Sequence, residues 1–147
     1  MSTPILVWVI AQQKRRVKQI KEALKTAGSK MAPLSEFEIA EFESPESAED
    51  SVKKAYRQKE TRPRLVVVDF RDGSFINAET ITWDKRMYLL TDMGYNLRIP
   101  IILIMKPGFT IESLIQQGSF FVIEERITYK QLAGEIITAV AREYLEG

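Results

Sequence analysis

The stretch Arg64-Leu65-Val66-Val67-Val68-Asp69-Phe70-Arg71 decides how the rest of the chain is read. Its apolar core is β-branched and lacks polar alternation, the pattern of a strand buried on both faces of a sheet. Such strands belong to α/β proteins, whose ligand sites lie outside the carboxyl ends of the strands. Asp69 falls at that end. A lone carboxylate there has three readings: a phosphoryl acceptor, a metal ligand, or a cap or local partner for Arg71 and Lys106.

Working outward, four more strand-like runs flank it. Residues 4–10 form an apolar run, and 37–42 alternate strictly, as a half-exposed edge strand does. Residues 101–105 form a second doubly buried run, introduced by Pro100, and residues 120–123 form the last. Between them the spacing predicts helices. One covers about 13–27, with Val17, Ile20, Leu24 and Ala27 on one face and Gly28 as its stop. The next is opened by Ser44-Pro45-Glu46 and carries Ala48, Val52 and Ala55 inward to about Gln58. A third covers about 78–93, holds Trp83, Met87 and Tyr88, and is closed by Gly94. A short helix follows over 111–117, and Thr128 caps the last, with Leu132, Ile136, Val140 and Tyr144 on one stripe. Alternating strands and helices with buried strands imply a parallel sheet covered on both faces. The expected fold is therefore a flavodoxin-like three-layer α/β sandwich, a five-stranded parallel sheet of order 2-1-3-4-5, with residues 1–147 as one domain.

Composition narrows the chemistry. With 45% hydrophobic and 28% charged residues in 147, the chain is an ordinary globular one. The net charge of +1 gives no general attraction to nucleic acid or membranes. There is no cysteine, hence no disulfide, thiol nucleophile or thiolate metal site, and no histidine, the commonest general base and metal ligand. No apolar run reaches membrane-spanning length and no basic segment precedes the first, so a cytoplasmic location is expected. Lys14, Arg15, Arg16, Lys18, Lys21 and Lys25 crowd one helix, but no aromatic residue is interleaved, and a solvated face is expected rather than a nucleic-acid surface. No glycine-rich phosphate loop, nucleophile elbow or metal-spaced cluster is present, so no enzymatic activity, metal or cofactor is expected.

Over nearly its whole length the chain resembles the receiver domains of two-component response regulators. The features that carry this are Ala27-Gly28, the run from Arg62 to Asp69, Ile99-Pro100-Ile101-Ile102-Leu103, and Gly118-Ser119 before the last strand. In that family an acidic pair follows strand one, the acceptor aspartate strand three, a Thr or Ser strand four, and a Lys strand five. Carried over, the acidic positions fall on Ala11, Gln12 and Gln13, the acceptor on Asp69, the hydroxyl on Met105, and the lysine on Glu124 or Glu125. Of these, Asp69 alone keeps the family's residue. Mg²⁺ wants carboxylates and other hard oxygens, which amides and an alanine do not replace. A phosphoryl group brings roughly −2 charge, and a carboxylate 4–6 Å away where an ammonium is expected costs about 2–4 kcal/mol at an effective dielectric near 20.

The resemblance therefore implies a degenerate receiver, a non-catalytic signalling module that acts by protein–protein contact, through a partner or attached effector domain or as a homodimer. The alternative is a small-ligand sensor holding an anionic metabolite or nucleotide at the carboxyl edge, with Lys106, Arg71 and Lys14 as donors. By the same resemblance the last strand and last helices form the partner face. Its candidate residues are Ile111, Ile115, Phe121, Tyr129 and Ile137.

Overall fold

The computed structural model describes residues 4–31, 36–69, 76–77, 82–83, 85–105, 120–124 and 128–146. Five strands build the main sheet: β1 (Ile5–Ala11), β2 (Phe37–Phe42), β3 (Leu65–Asp69), β6 (Ile101–Met105) and β7 (Phe120–Glu124). Their order is β2-β1-β3-β6-β7 and every pairing is parallel. This is the expected 2-1-3-4-5 arrangement. Two further strands, β4 (Ile76–Asn77) and β5 (Thr82–Trp83), form a separate antiparallel pair.

Alternation along each strand splits the core in two. Val7, Val9 and Ala11 of β1, Leu65 and Val67 of β3, and Ile102 and Ile104 of β6 face one side. There they meet Ile20, Leu24 and Ala27 of helix α1 (Lys14–Lys30) and Leu132, Ile136 and Val140 of helix α4 (Tyr129–Glu146). Trp8, Ile10, Val66, Val68, Ile101 and Leu103 face the other. Their partners are Ala48, Val52 and Ala55 at helix α2 (Glu49–Arg57) and Leu90 and Met93 of helix α3 (Lys85–Leu97). Each buried Leu, Ile or Val side chain stabilises the fold by about 1.5–3 kcal/mol, so Leu65 to Val68, all fully buried, anchor both layers at once. The edge strand β2 does not keep the expected strict alternation: only Glu38 and Glu41 are exposed, while Phe37 and Ile39 pack partly buried on one core and Ala40 and Phe42 on the other.

Helix starts follow local chemistry. Thr128 Oγ1 accepts from the Gln131 N–H at 3.2 Å while Gln131 Oε1 accepts from the Thr128 N–H at 2.9 Å, a reciprocal capping box. Ser44 and Ser47 make the same exchange ahead of α2, at 3.2 and 3.1 Å. The first turn there, Glu46–Ala48, is a 3₁₀ helix rather than the expected α turn.

Helix ends correct the sequence reading twice. Gly28 is not a stop: α1 runs on to Lys30, with Gly28 buried inside it. Gly94 does not close α3 either. A Cβ there would lie 2.6 Å from Ile101 Cδ1 and 3.1 Å from the Ile99 carbonyl oxygen. The glycine thus lets α3 lie close against β6, and the helix continues to Leu97. The true stop is Arg98, in the left-handed region at φ 56°, followed by the Ile99 N–H donating to the Gly94 carbonyl at 2.9 Å. That is the bond pattern of a helix-terminating Schellman motif with arginine in the place glycine usually takes. Trp83, read as helical, lies in β5, and α3 begins at Lys85. The short helix expected over 111–117 lies outside the described residues.

Candidate functional site: the carboxyl edge of the sheet

The register sets the candidate residues in a row. Ala11, the last residue of β1, pairs with Asp69, the last of β3. Asp69 pairs in turn with Ile104, and Met105 pairs with Glu124. Four positions far apart in sequence thus line one edge of the sheet, where crossover connections leave the strand ends open.

Asp69 is 1% exposed, one of two buried polar or charged residues among those described. It continues the alternation of Leu65 and Val67, which places it on the α1 and α4 face. Its strand neighbours on that face, Ala11 and Ile104, are buried and apolar. A buried carboxylate without compensation is too costly to keep, and Asp69 does have a polar or electrostatic partner. The residues around it supply no second carboxylate from β1: Ala11 has none, and Gln12 is an exposed amide. Gln13 accepts a 2.6 Å hydrogen bond from Arg15 Nε. Among the described residues no group of three or more acidic residues converges to hold a metal ion.

Of the proposed anion donors, Lys14 is described, exposed at the first residue of α1. Lys106, Arg71 and Glu125 lie outside the described residues, as do Ile111 and Ile115 and the side chains of Met105, Phe121, Glu124 and Tyr129. Ile137, expected to reach the surface, is partly buried and packs against the core that α1 and α4 share. Its position one residue past Ile136 carries it only to the rim of the buried stripe.

One residue stands out that sequence reading left in the solvated basic face. Arg16 Nε is sealed from solvent and has no hydrogen-bond partner. The signal was its spacing: Arg16 precedes the fully buried Ile20 by four residues, on the sheet-facing side of α1. Lys21, by contrast, lies outward and pairs with Glu41 of β2. The described part of the molecule also carries a concavity of about 360 Å³ along α2, lined by Asp50, Lys53, Lys54, Arg57 and Gln58. No described helix is long and apolar enough to cross a membrane.

No protein-family profile and no curated protein matches the sequence. Solved structures do match its shape. A response regulator receiver domain protein from Clostridium thermocellum superposes with a TM-score of 0.65 at 15% identity, over 97% of this chain and 99% of that one. NtrX from Brucella abortus, in complex with ADP, gives 0.65 at 18% identity, over 98% of this chain. This chain spans 28% of the NtrX chain. The lysine decarboxylase LdcF from Francisella novicida gives 0.62 at 12% identity, over 98% of this chain and 18% of that one. At these identities the likeness is one of fold. The chain has the receiver fold, which signalling proteins and an enzyme both contain.

Proposed function

We propose that this chain is a receiver-fold signalling module that has given up Mg²⁺-dependent phosphoacceptor chemistry and works by protein contact. The observation that carries the reading is the row at the carboxyl edge. Asp69 stands buried between Ala11 and Ile104, with amides where a metal needs acids and with Met105 where a switch needs a hydroxyl. A carboxylate so enclosed serves the fold through its local partner. Among the described residues no group of three acids converges to draw Mg²⁺, and in the sequence Glu124 or Glu125 stands where the family's lysine would offset roughly two added negative charges. A non-catalytic role is part of the same proposal, supported by a sequence that holds neither histidine nor cysteine.

The test is incubation with acetyl phosphate, or beryllofluoride and Mg²⁺, read by intact mass and by NMR of the labelled chain. No adduct and no Mg²⁺-dependent shift at Asp69 is expected. A stoichiometric adduct on Asp69 refutes the reading. Asp69→Asn is expected to cost about 0.5–2 kcal/mol of stability and to leave partner binding intact.

A second reading has one observation on its side. The sealed Nε of Arg16 is a donor without an acceptor on the sheet-facing side of α1, and an anionic small ligand would supply one. Thermal shift against nucleotides and phosphorylated metabolites separates the readings: a ligand at a hundredfold excess over its Kd stabilises by about 2.7 kcal/mol.

A further inference from the structure

Four large hydrophobic side chains stand exposed among the described residues: Tyr56, Tyr88, Leu89 and Tyr95, at 41%, 47%, 37% and 59%. All four belong to α2 and α3. Tyr88 and Tyr95 are two turns apart on one stripe of α3. Tyr56 joins them across the helix pair, its hydroxyl accepting from Asn96 Nδ2 at 3.1 Å. Both helices run back from the carboxyl edge, so this contact near their C-terminal ends lies toward the amino edge, away from Asp69.

Exposed cations surround it. Arg57 follows Tyr56 on α2, where Lys53 is paired with Glu49 at 3.6 Å, and Arg98 follows Tyr95 by three residues, while exposed Asp92 lies between Tyr88 and Tyr95 on α3. Cations suit helix C-termini because they offset the dipole, and that accounts for Arg57 with no ligand at all. It accounts for a cation at Arg98 as well, but not for the backbone conformation that this arginine adopts. A glycine at φ 56° would end α3 with less backbone strain, yet the position holds an exposed arginine three residues after the exposed Tyr95. Tyrosine and arginine together are what protein interfaces concentrate.

We propose that the C-terminal ends of α2 and α3 form a docking face for an acidic amphipathic segment of a partner protein. Its carboxylates meet Arg57 and Arg98, and its apolar side chains lie on Tyr56 and Tyr95. This rests on the reading of the domain as a protein-contact module and specifies the surface used. Charge selects the occupant. Over residues 53–60 and 88–98 the cations Lys53, Lys54, Arg57, Lys59 and Arg98 stand against Glu60 and Asp92, a net positive face that suits an acidic segment better than a second copy of the same charge. Area agrees: the half-exposed tyrosines and leucine offer roughly 300–400 Å², against about 800 Å² per partner in a standard stable interface.

The experiment titrates the full labelled chain with a short synthetic amphipathic peptide, glutamate on one face and leucine and phenylalanine on the other, and with its Glu→Lys counterpart. Saturable NMR shifts at Tyr56, Tyr95 and Asn96 are expected with the acidic peptide alone. Affinity should fall about tenfold in Tyr95→Ala and in Arg57→Glu, the scale of an interface anchor. Arg98→Gly should weaken binding while raising the unfolding midpoint by about 2–4 °C, a combination that a misfolded variant does not give. Shifts centred on Lys14, Lys18 and Lys25 of α1 instead would mean charge attraction only and would overturn the proposal. So would an absence of saturable shifts, or a concentration-dependent doubling of mass that Tyr95→Ala abolishes, which would make a second copy the occupant. Each of these failures leaves the phosphodonor test at Asp69 to decide the wider reading separately.

Discussion

Beneath α1 and α4 the sheet presents Val7, Val9, Val67, Ile102 and Ile104; beneath α2 and α3 it presents Trp8, Ile10, Val66, Val68, Ile101 and Leu103. The two inner surfaces are the same kind of close-packed aliphatic layer, with Trp8 set edge-on to Phe42 at 5.5 Å in the second and Phe37 at the margin of the first. The outer surfaces differ. Described α1 exposes Lys14, Arg15, Lys18, Lys21, Lys25 and Lys30 against the single acid Glu22, and no large hydrophobic side chain. The α2 and α3 layer exposes three tyrosines and a leucine. Packing constrains only the inward face, so the outward faces are where the two layers can specialise. Under the docking proposal the lysine face stays solvated and the aromatic–basic face takes the contact.

Equal packing of the two layers is the part of this contrast most open to attack. Leu24→Ala in α1 and Met93→Ala in α3 each empty a fully enclosed site and should each cost about 2–5 kcal/mol in urea unfolding. A cost below 1 kcal/mol for either would show that layer to be loosely packed. Next in size is Gly94→Ala. The added methyl would meet Ile101 and the Ile99 carbonyl, and a loss of about 1–3 kcal/mol is expected although alanine is the better helix former. Gly134→Ala in α4 should have the opposite sign. Nothing lies within 4 Å of the new Cβ, so a gain of about 0.4–1 kcal/mol follows from reduced freedom of the unfolded chain. Equal effects at the two glycines would remove the claim that α3 lies closer to the sheet than a side chain allows. The smallest effect belongs to the lysine face. Lys18→Ala and Lys25→Ala should move stability by no more than about 0.5 kcal/mol at any salt concentration. A larger, salt-sensitive loss would mean the stripe has a structural task.

Most of the fold was legible because it rests on short-range rules. The runs at 65–69 and 101–105 announced strands covered on both sides; 37–42 is the expected edge strand, but it is partly buried on both faces rather than strictly alternating. Thr128 and Ser44 marked helix starts through hydrogen bonds that span three residues. Helix ends were harder to read. Gly28 and Gly94 carry the composition of a stop, but a glycine needed for close packing and a glycine needed for a left-handed turn look the same in sequence. The candidate site was legible as a row of positions, since strand ends in a parallel sheet must share an edge. The enclosure of Asp69 between Ala11 and Ile104 was not, because those neighbours come from strands 58 and 35 residues away in the chain.

The sequence by itself determined which segments pair, which faces are apolar, and that no histidine or cysteine chemistry is available. Periodicity, capping and composition act within a few residues and need no distant partner. Tertiary structure alone decided which cation of the basic helix is sealed, which glycine admits a neighbour, and which aromatics reach solvent. Tyr56 and Asn96 show the physical reason. They are 40 residues apart and meet only because α2 and α3 pack side by side on the sheet. A side chain's exposure is set by what lies across from it, and local sequence does not contain that.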